Sequence, residues 1–256
     1  MQVRTTINLL AAALLLFPLF SIPSSQAAAS DPSPTQAGRS GLIVVELFTS
    51  QGCSSCPPAD AYLRELAEVD GILPLSMHVD YWDYIGWKDP FAMPAVKNRQ
   101  RDYAVHFGLR YVYTPQAVVH GTVQATGSDR RAIGRAIDAL RGAEQLAVTL
   151  SHGADGGLSV ALPGGAAPDK GARVMLVVFD NQHETAIKRG ENRGRTLKYR
   201  NVVRAFRSLG AWDGQAETLQ VSAKDLGAMP GDACAVIVQA VDSGHVLGAA
   251  SLPLRH

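Results

Sequence analysis

Hydrophobic and polar positions between residues 41 and 142 follow two alternating periods. "GLIVVELF" (41–48) is a nearly continuous apolar and β-branched run, the pattern of a short strand buried on both faces, and Glu46 interrupts it. Tyr62, Leu63, Leu66 and Val69 then recur at helical spacing until Gly71. "ILPLSMHVD" (72–80) reads as a second strand, followed by the Trp/Tyr-rich loop "YWDYIGWKDPF" and a polar amphipathic helix through about Phe107 that Gly108 can stop. "PQAVVHGTVQATG" (115–127) predicts a hairpin turning near His120-Gly121. Ser128 or Asp129 can cap a last helix whose Ile133, Ile137 and Leu140 share one face. The order is βαβα followed by ββα: strand-helix-strand alternation requires parallel pairing with helices on the faces, and the hairpin adds an antiparallel edge.

Past Glu144 the period changes. "AVTLSHGADGGLSVALPGG" has two strand-like runs around the hairpin signal Asp155-Gly156-Gly157. "ARVMLVVFD", "ETAIKRG", "TLKYRNVVRAFRSLG", "AETLQV", "ACAVIVQAV" and "HVLGAASL" continue the series. So many short strands predict a β-sandwich over 144–256, packed on or beside an α/β domain over 41–143. Cys234 alternates with Val236, Val238 and Ala240 and reads as a buried core thiol. "KRGENRGRTLKYRNVVRAF" (188–206) concentrates basic residues. It reads as a solvated hairpin, or as one that packs across the redox crevice or docks an acidic partner, with Glu191-Asn192 fixing its turn.

The first residues set the compartment. Arg4, an apolar stretch from Ile7 to Phe20 and the run Ala27-Ala28-Ala29 read as a secretory signal peptide over 1–29. The stretch is shorter than the roughly 20 residues of a membrane span and Pro18 interrupts it, so stable membrane insertion is not expected after cleavage. Residues 30–40, rich in Ser, Pro and Ala, read as a linker. The exported chain, periplasmic or secreted, meets a space where disulfides persist. Removing Arg4 from 24 Lys plus Arg leaves 23 against 23 Asp plus Glu. Zero formal charge argues against nucleic acid as a partner.

With only three cysteines, disulfides cannot be what holds the chain together. Two of them stand in "TSQGCSSCPPAD" (49–60), where Cys53 and Cys56 lie between the first strand and the first helix. Only a thiolate attacks a disulfide, and the amino end of a helix favours that charged form through unpaired N–H donors and a partial positive charge. The spacing lets Cys53 attack and Cys56 resolve the mixed disulfide. Ser54 and Ser55 either donate hydrogen bonds to the sulfur or cap the helix. Pro57-Pro58 moves the helix start to about Pro58 or Ala59, with Cys53 in the loop ahead. Exchange also requires a Cys53 sulfur that an incoming polypeptide can reach.

A βαβ-ββα unit, a Cys-x-x-Cys after its first strand and Thr114-Pro115 opening its third strand together resemble the thioredoxin fold. More closely, "ELFTSQGCSSCPPAD", "HVDYWDYIGWKDPF", "YTPQAVVHG" and "GENRGRTLKYRNVV" resemble DUF1223, a group of secreted bacterial proteins with a thioredoxin-like domain. The resemblance implies an exported thiol-disulfide oxidoreductase that needs no organic cofactor and acts on a protein or peptide. It implies a cis peptide bond before Pro115 and a Thr114 backbone that pairs with the substrate. The chain departs from the common thioredoxin pattern in having Gly52 before the first cysteine and Ser54-Ser55 between the two.

Ligands gather at the carboxyl ends of strands in open α/β sheets, so Asp80, Tyr81, Trp82 and Trp87 are expected near the cysteines, holding an extended peptide, shielding the sulfurs, or simply covering the second helix. Asp80 or Asp83 would accept the proton of Cys56. Other readings are a structural clip, a non-catalytic binding module, and a copper-handling protein that uses His78 and His120 beside the cysteines. No zinc-type spacing is present, and no metal site is assigned.

Overall fold

Alternation along the first long strand sorts the core. The computed structural model describes Gln2 and residues 38–255. After β1 (Arg39–Ser40) comes β2 (Ile43–Thr49), buried throughout. Its Ile43, Val45 and Leu47 pack with α1 (Pro57–Leu66) and α3 (Arg130–Leu140), while Val44 and Phe48 pack on the other face with α2 (Pro94–His106). β3 (Ile72–His78) runs parallel to β2, and β4 (Gln116–Val119) and β5 (Val123–Thr126) add the expected antiparallel edge. Pro57 occupies the first helical position of α1, where a missing N–H costs nothing, so the helix starts slightly ahead of the expected point. Asp129, not Ser128, caps α3 by accepting from Ala132 N–H at 2.9 Å.

Glu46 breaks the apolar run for a packing reason. It faces α2, where Arg99 Nε and Nη2 donate to its carboxylate at 2.5 and 2.8 Å and Tyr103 Oη at 2.5 Å.

The remaining strands are β6 (Thr149–His152), β7 (Leu158–Leu162), β8 (Ala172–Ala186), β9 (Thr196–Trp212), β10 (Glu217–Val221), β11 (Ala233–Ala240) and β12 (Val246–Pro253). They do not make a separate sandwich. β9 meets β3 in parallel at Val202 and Ser76, giving one nine-stranded sheet in the order β1-β12-β11-β8-β9-β3-β2-β4-β5. The sheet runs across the expected boundary at 143/144. β10, β7 and β6 form a three-stranded sheet whose Leu150, Leu158 and Val160 pack on Val174, Val236 and Val238. The difference lies in the β8–β9 hairpin. "ETAIKRG" is not a strand of its own but begins with the end of β8, whose exposed polar positions mask its continuity. Gln239 of β11 accepts from Arg99 Nη1 at 2.9 Å and donates to Tyr103 Oη at 3.0 Å, which ties β11 to the ion pair at β2.

One short helix, α4 (Ala223–Gly227), was not foreseen; Ser222 caps it. Cys234 is fully buried, and burial pushes its thiol up to about 12. The expected signal peptide and residues 30–37 of the linker lie outside the described residues, whereas Arg39 and Ser40 pair with β12. Among the described residues no helix is long and apolar enough to cross a membrane.

Candidate functional site

Two tight turns join β2 to α1. Cys53 N–H donates to Ser50 C=O at 3.1 Å and Cys56 N–H to Cys53 C=O at 3.3 Å, which brings the two sulfurs together in a disulfide. Cys56 is the residue that caps α1, and its carbonyl accepts from Ala59 and Asp60 N–H at 2.9 and 3.1 Å. Ser54 and Ser55 are exposed and no side chain caps this helix start; Ser55 Oγ lies 3.4 Å from Cys53 Sγ, so it serves the sulfur. One expectation fails. Cys53 is 1% exposed and Cys56 0%, so neither sulfur stands at an open rim. The turn between β8 and β9 packs on the cysteine loop, where its buried Asn192 donates from Nδ2 to the carbonyls of Gln51 and Cys53, each at 3.0 Å.

The other expected site residues divide into two groups. Trp82 and Thr114 are brought to the disulfide loop: Trp82 Nε1 donates to Thr114 Oγ1 at 2.7 Å, and the Trp82 side chain lies against Gly52. The Thr114–Pro115 bond is cis, and Pro115 is buried over Gly127 and Ala59 at the start of α1. Asp80 and Tyr81 also contact α2, and the Tyr81 hydroxyl lies near Thr114 as well. Asp80 Oδ2 accepts from Lys97 Nζ at 2.8 Å, and Tyr81 Oη donates to Gln100 at 3.2 Å, with burial pushing its hydroxyl up to about 12. Asp83 accepts from Asp89 N–H at 3.1 Å. Trp87 donates to Gln51 Oε1 at 2.8 Å.

A Cβ built on Gly52 would lie 3.0 Å from Trp82 Cβ and 3.2 Å from Trp82 O. Gly52→Ala is therefore expected to displace Trp82 and cost about 1–3 kcal/mol of stability, the usual range for overpacking. Chemical denaturation gives the cost, and the amide-proton spectrum of the Trp82 indole gives the displacement; an unmoved indole signal would contradict it.

Beneath the disulfide lies a buried polar cluster. His78 Nδ1 is 2.7 Å from Asp89 Oδ2 and its Nε2 is 3.2 Å from Ser76 Oγ, all three residues at most 2% exposed. Burial raises the Asp89 carboxyl, but His78 and the N–H groups of Gln51 and Phe91 outweigh it and hold the group below its ordinary value. Asp89 thereby braces the cysteine loop at Gln51. Ser76, His78 and Asp89 lie in the order of a hydrolytic triad, yet Ser76 is in mid-sheet between β2 and β9, beyond any substrate. His120 sits at the other end of β2, where its Nδ1 accepts from Val44 N–H at 3.2 Å, so it cannot join the cysteines in a copper site. Among the described residues no group of three His, Cys, Asp or Glu side chains is placed to hold a metal ion.

Sequence reading missed Asp60. It is 4% exposed, four residues beyond Cys56, and Thr49 Oγ1 donates to its Oδ1 at 2.8 Å. Its Oδ2 has no partner, and burial pushes the carboxyl up to about 7 against the opposing effects of His78 and Thr49. A cleft of about 190 Å³ between α1 and β9, lined by Arg64, Leu197 and Lys198, reaches it. An acid three residues into a helix reads as a favourable partner of the helix amino end, so only its burial by β9 marks it out.

The class defined so far is an α/β protein with a large mixed sheet, flanking helices and a covered Cys-x-x-Cys disulfide at a strand-to-helix junction. The chain belongs to the family described as "Protein of unknown function (DUF1223)", whose model matches residues 44–239. It is similar to the crystal structure of protein AGR_C_4864 from Agrobacterium tumefaciens, with 33% identity, a TM-score of 0.72, and coverage of 82% of this chain and 93% of that one. The structure of HBP35 of Porphyromonas gingivalis is similar in fold, at 13% identity and a TM-score of 0.53 over 84% of this chain and 76% of that one. Among curated proteins no match is found.

Proposed function

We propose that this chain is an exported protein with a thioredoxin-like domain that exchanges disulfides with a protein or peptide through Cys53 and Cys56. The observation that carries the reading is the bonded Cys-x-x-Cys pair at the amino end of α1, with Ser55 Oγ beside Cys53 Sγ. In the reduced protein, once local opening uncovers the buried sulfur, the Cys53 thiolate attacks a substrate disulfide, forming a mixed disulfide and releasing one substrate thiolate. The Cys56 thiolate then attacks Cys53 Sγ, restores the internal disulfide and releases the second. Two electrons have passed to the substrate. The reverse sequence oxidises a substrate dithiol, and no organic cofactor takes part. Thr114 and Trp82, linked to each other beside the loop, are the residues a bound polypeptide would meet.

A second reading, a non-catalytic binding module with a fixed disulfide, is favoured by the burial of both sulfurs. Trapping separates the two. Cys56→Ser, reduced and mixed with a disulfide-bonded test protein, is expected to accumulate a covalent adduct through Cys53, detected by mass spectrometry, while Cys53→Ser accumulates none. Absence of any adduct with Cys56→Ser would favour the fixed module.

A further inference from the structure

The turn between β8 and β9 that packs on the cysteine loop is a preformed unit. Ile187 N–H donates to Arg195 C=O and Gly194 N–H to Ile187 C=O, each at 2.9 Å, so the turn is closed within itself, and buried Ile187 anchors its base. At its tip two consecutive side chains meet the cysteine loop. Asn192, 1% exposed, grips the carbonyls of Gln51 and Cys53 across 141 and 139 residues of sequence. Glu191, exposed, accepts from Ser54 N–H at 3.3 Å. Gln51 completes the seal by donating from Nε2 to Thr185 Oγ1 of β8 at 3.1 Å.

The charge at the tip matters because of where it lies. Ser54 N–H belongs to the residue after Cys53, in the short run of donors ahead of α1 that would stabilise a thiolate. In the oxidised protein the sulfurs are neutral, and the Glu191 carboxylate takes that donor without opposition. A Cys53 thiolate brings a second anion to the same donors.

We propose that the turn carrying Glu191 and Asn192 is a gate on the Cys53–Cys56 pair: Asn192 holds it shut over the disulfide, and Glu191 is expelled when Cys53 becomes a thiolate. Reduction opens the site. Glu191 and Asn192 are positioning residues, acting through the sulfurs rather than on a substrate. The use made of the gate rests on the exchange reading above. By linkage, a gate that closes better on the oxidised form stabilises the disulfide, so removing the acid shifts the pair toward the dithiol. The closed form also shields the disulfide from thiols that do not displace the turn.

The test uses the full chain, Asn192→Ala and Glu191→Gln, with dithiothreitol as the probe; it passes two electrons and two protons to the pair and closes to its own cyclic disulfide. Asn192→Ala is expected to be reduced roughly tenfold faster than the unmodified protein, since it needs less local opening. Glu191→Gln, at an exposed position, keeps the fold. Its equilibrium with glutathione is expected to move toward the dithiol by three- to tenfold, about 14 to 30 mV for a two-electron couple. That shift shrinks at high salt, because an exposed charge is screened. Hydrogen exchange of the 188–195 amides is expected to be faster in the reduced than in the oxidised protein. Equal reduction rates for Asn192→Ala and the unmodified chain, or an unmoved equilibrium in Glu191→Gln, would overturn the gate. If these shifts appear but Cys56→Ser traps no test protein, the exchange reading falls and the gate stands; trapping with no shifts removes the gate alone.

Discussion

Replacing Arg99 with methionine is expected to cost about 3–5 kcal/mol of unfolding free energy, the range for breaking a buried ion pair from one side. The guanidinium donates to both oxygens of Glu46, which is 1% exposed, and also reaches Gln239 of β11. Burial works against the positive charge of Arg99, but Glu46 outweighs it and holds the group above its ordinary value. In Arg99→Met the Glu46 carboxylate stays in the core with only Tyr103 Oη as donor, and the polar ties of α2 to β2 and β11 rest on Tyr103 alone. Urea unfolding with the disulfide intact measures the loss. Adding Glu46→Gln should recover part of it, because the stranded charge is then gone. A single-variant loss below about 1 kcal/mol would show that the pair is not desolvated as its burial implies.

Asp60→Asn is expected to remove a pH dependence of stability. The Asp60 carboxyl is raised from 3.8 to about 7 in the folded chain, so between those values the folded state binds more protons than the unfolded one. Stability therefore falls as pH rises through that window. Each unit is worth about 1.4 kcal/mol, so the loss amounts to a few kcal/mol. Asparagine keeps an oxygen to accept from Thr49 and cannot ionise. The variant should thus match the native chain near pH 4 and exceed it in stability at pH 8. Asp89, held below its ordinary value, acts oppositely and below about pH 4, where its protonation costs stability. Chemical denaturation at several pH values decides the matter, and parallel profiles for the two proteins would refute the assignment.

Much of the site was legible because it is local. The β-branched run into Thr49, the paired cysteines and the prolines at the helix start are neighbours in sequence, and their geometry follows from backbone rules acting over a few residues, whereas the cis bond at Thr114-Pro115 was implied only by the family resemblance. The same rules placed β3, the β4–β5 hairpin and the cap of α3. They failed where one element serves two partners. β8 and β9, of 15 and 17 residues, join the strand-rich second half to β3, and no periodicity announces that a hairpin will span both. Asp80 and Tyr81 stand at the end of a strand beside Trp82 and are also held by Lys97 and Gln100 of α2, partners that the strand's own sequence does not announce.

By itself the sequence determined that two cysteines stand after the first strand of a parallel pair and ahead of a helix, since the apolar run and the prolines mark both boundaries. Only the tertiary structure decided that the β8–β9 turn packs on the cysteine loop, that β9 packs beside Asp60, and that Glu191 faces Ser54. Each of these joins residues more than 130 positions apart, and such encounters depend on how whole layers pack rather than on what any short segment prefers.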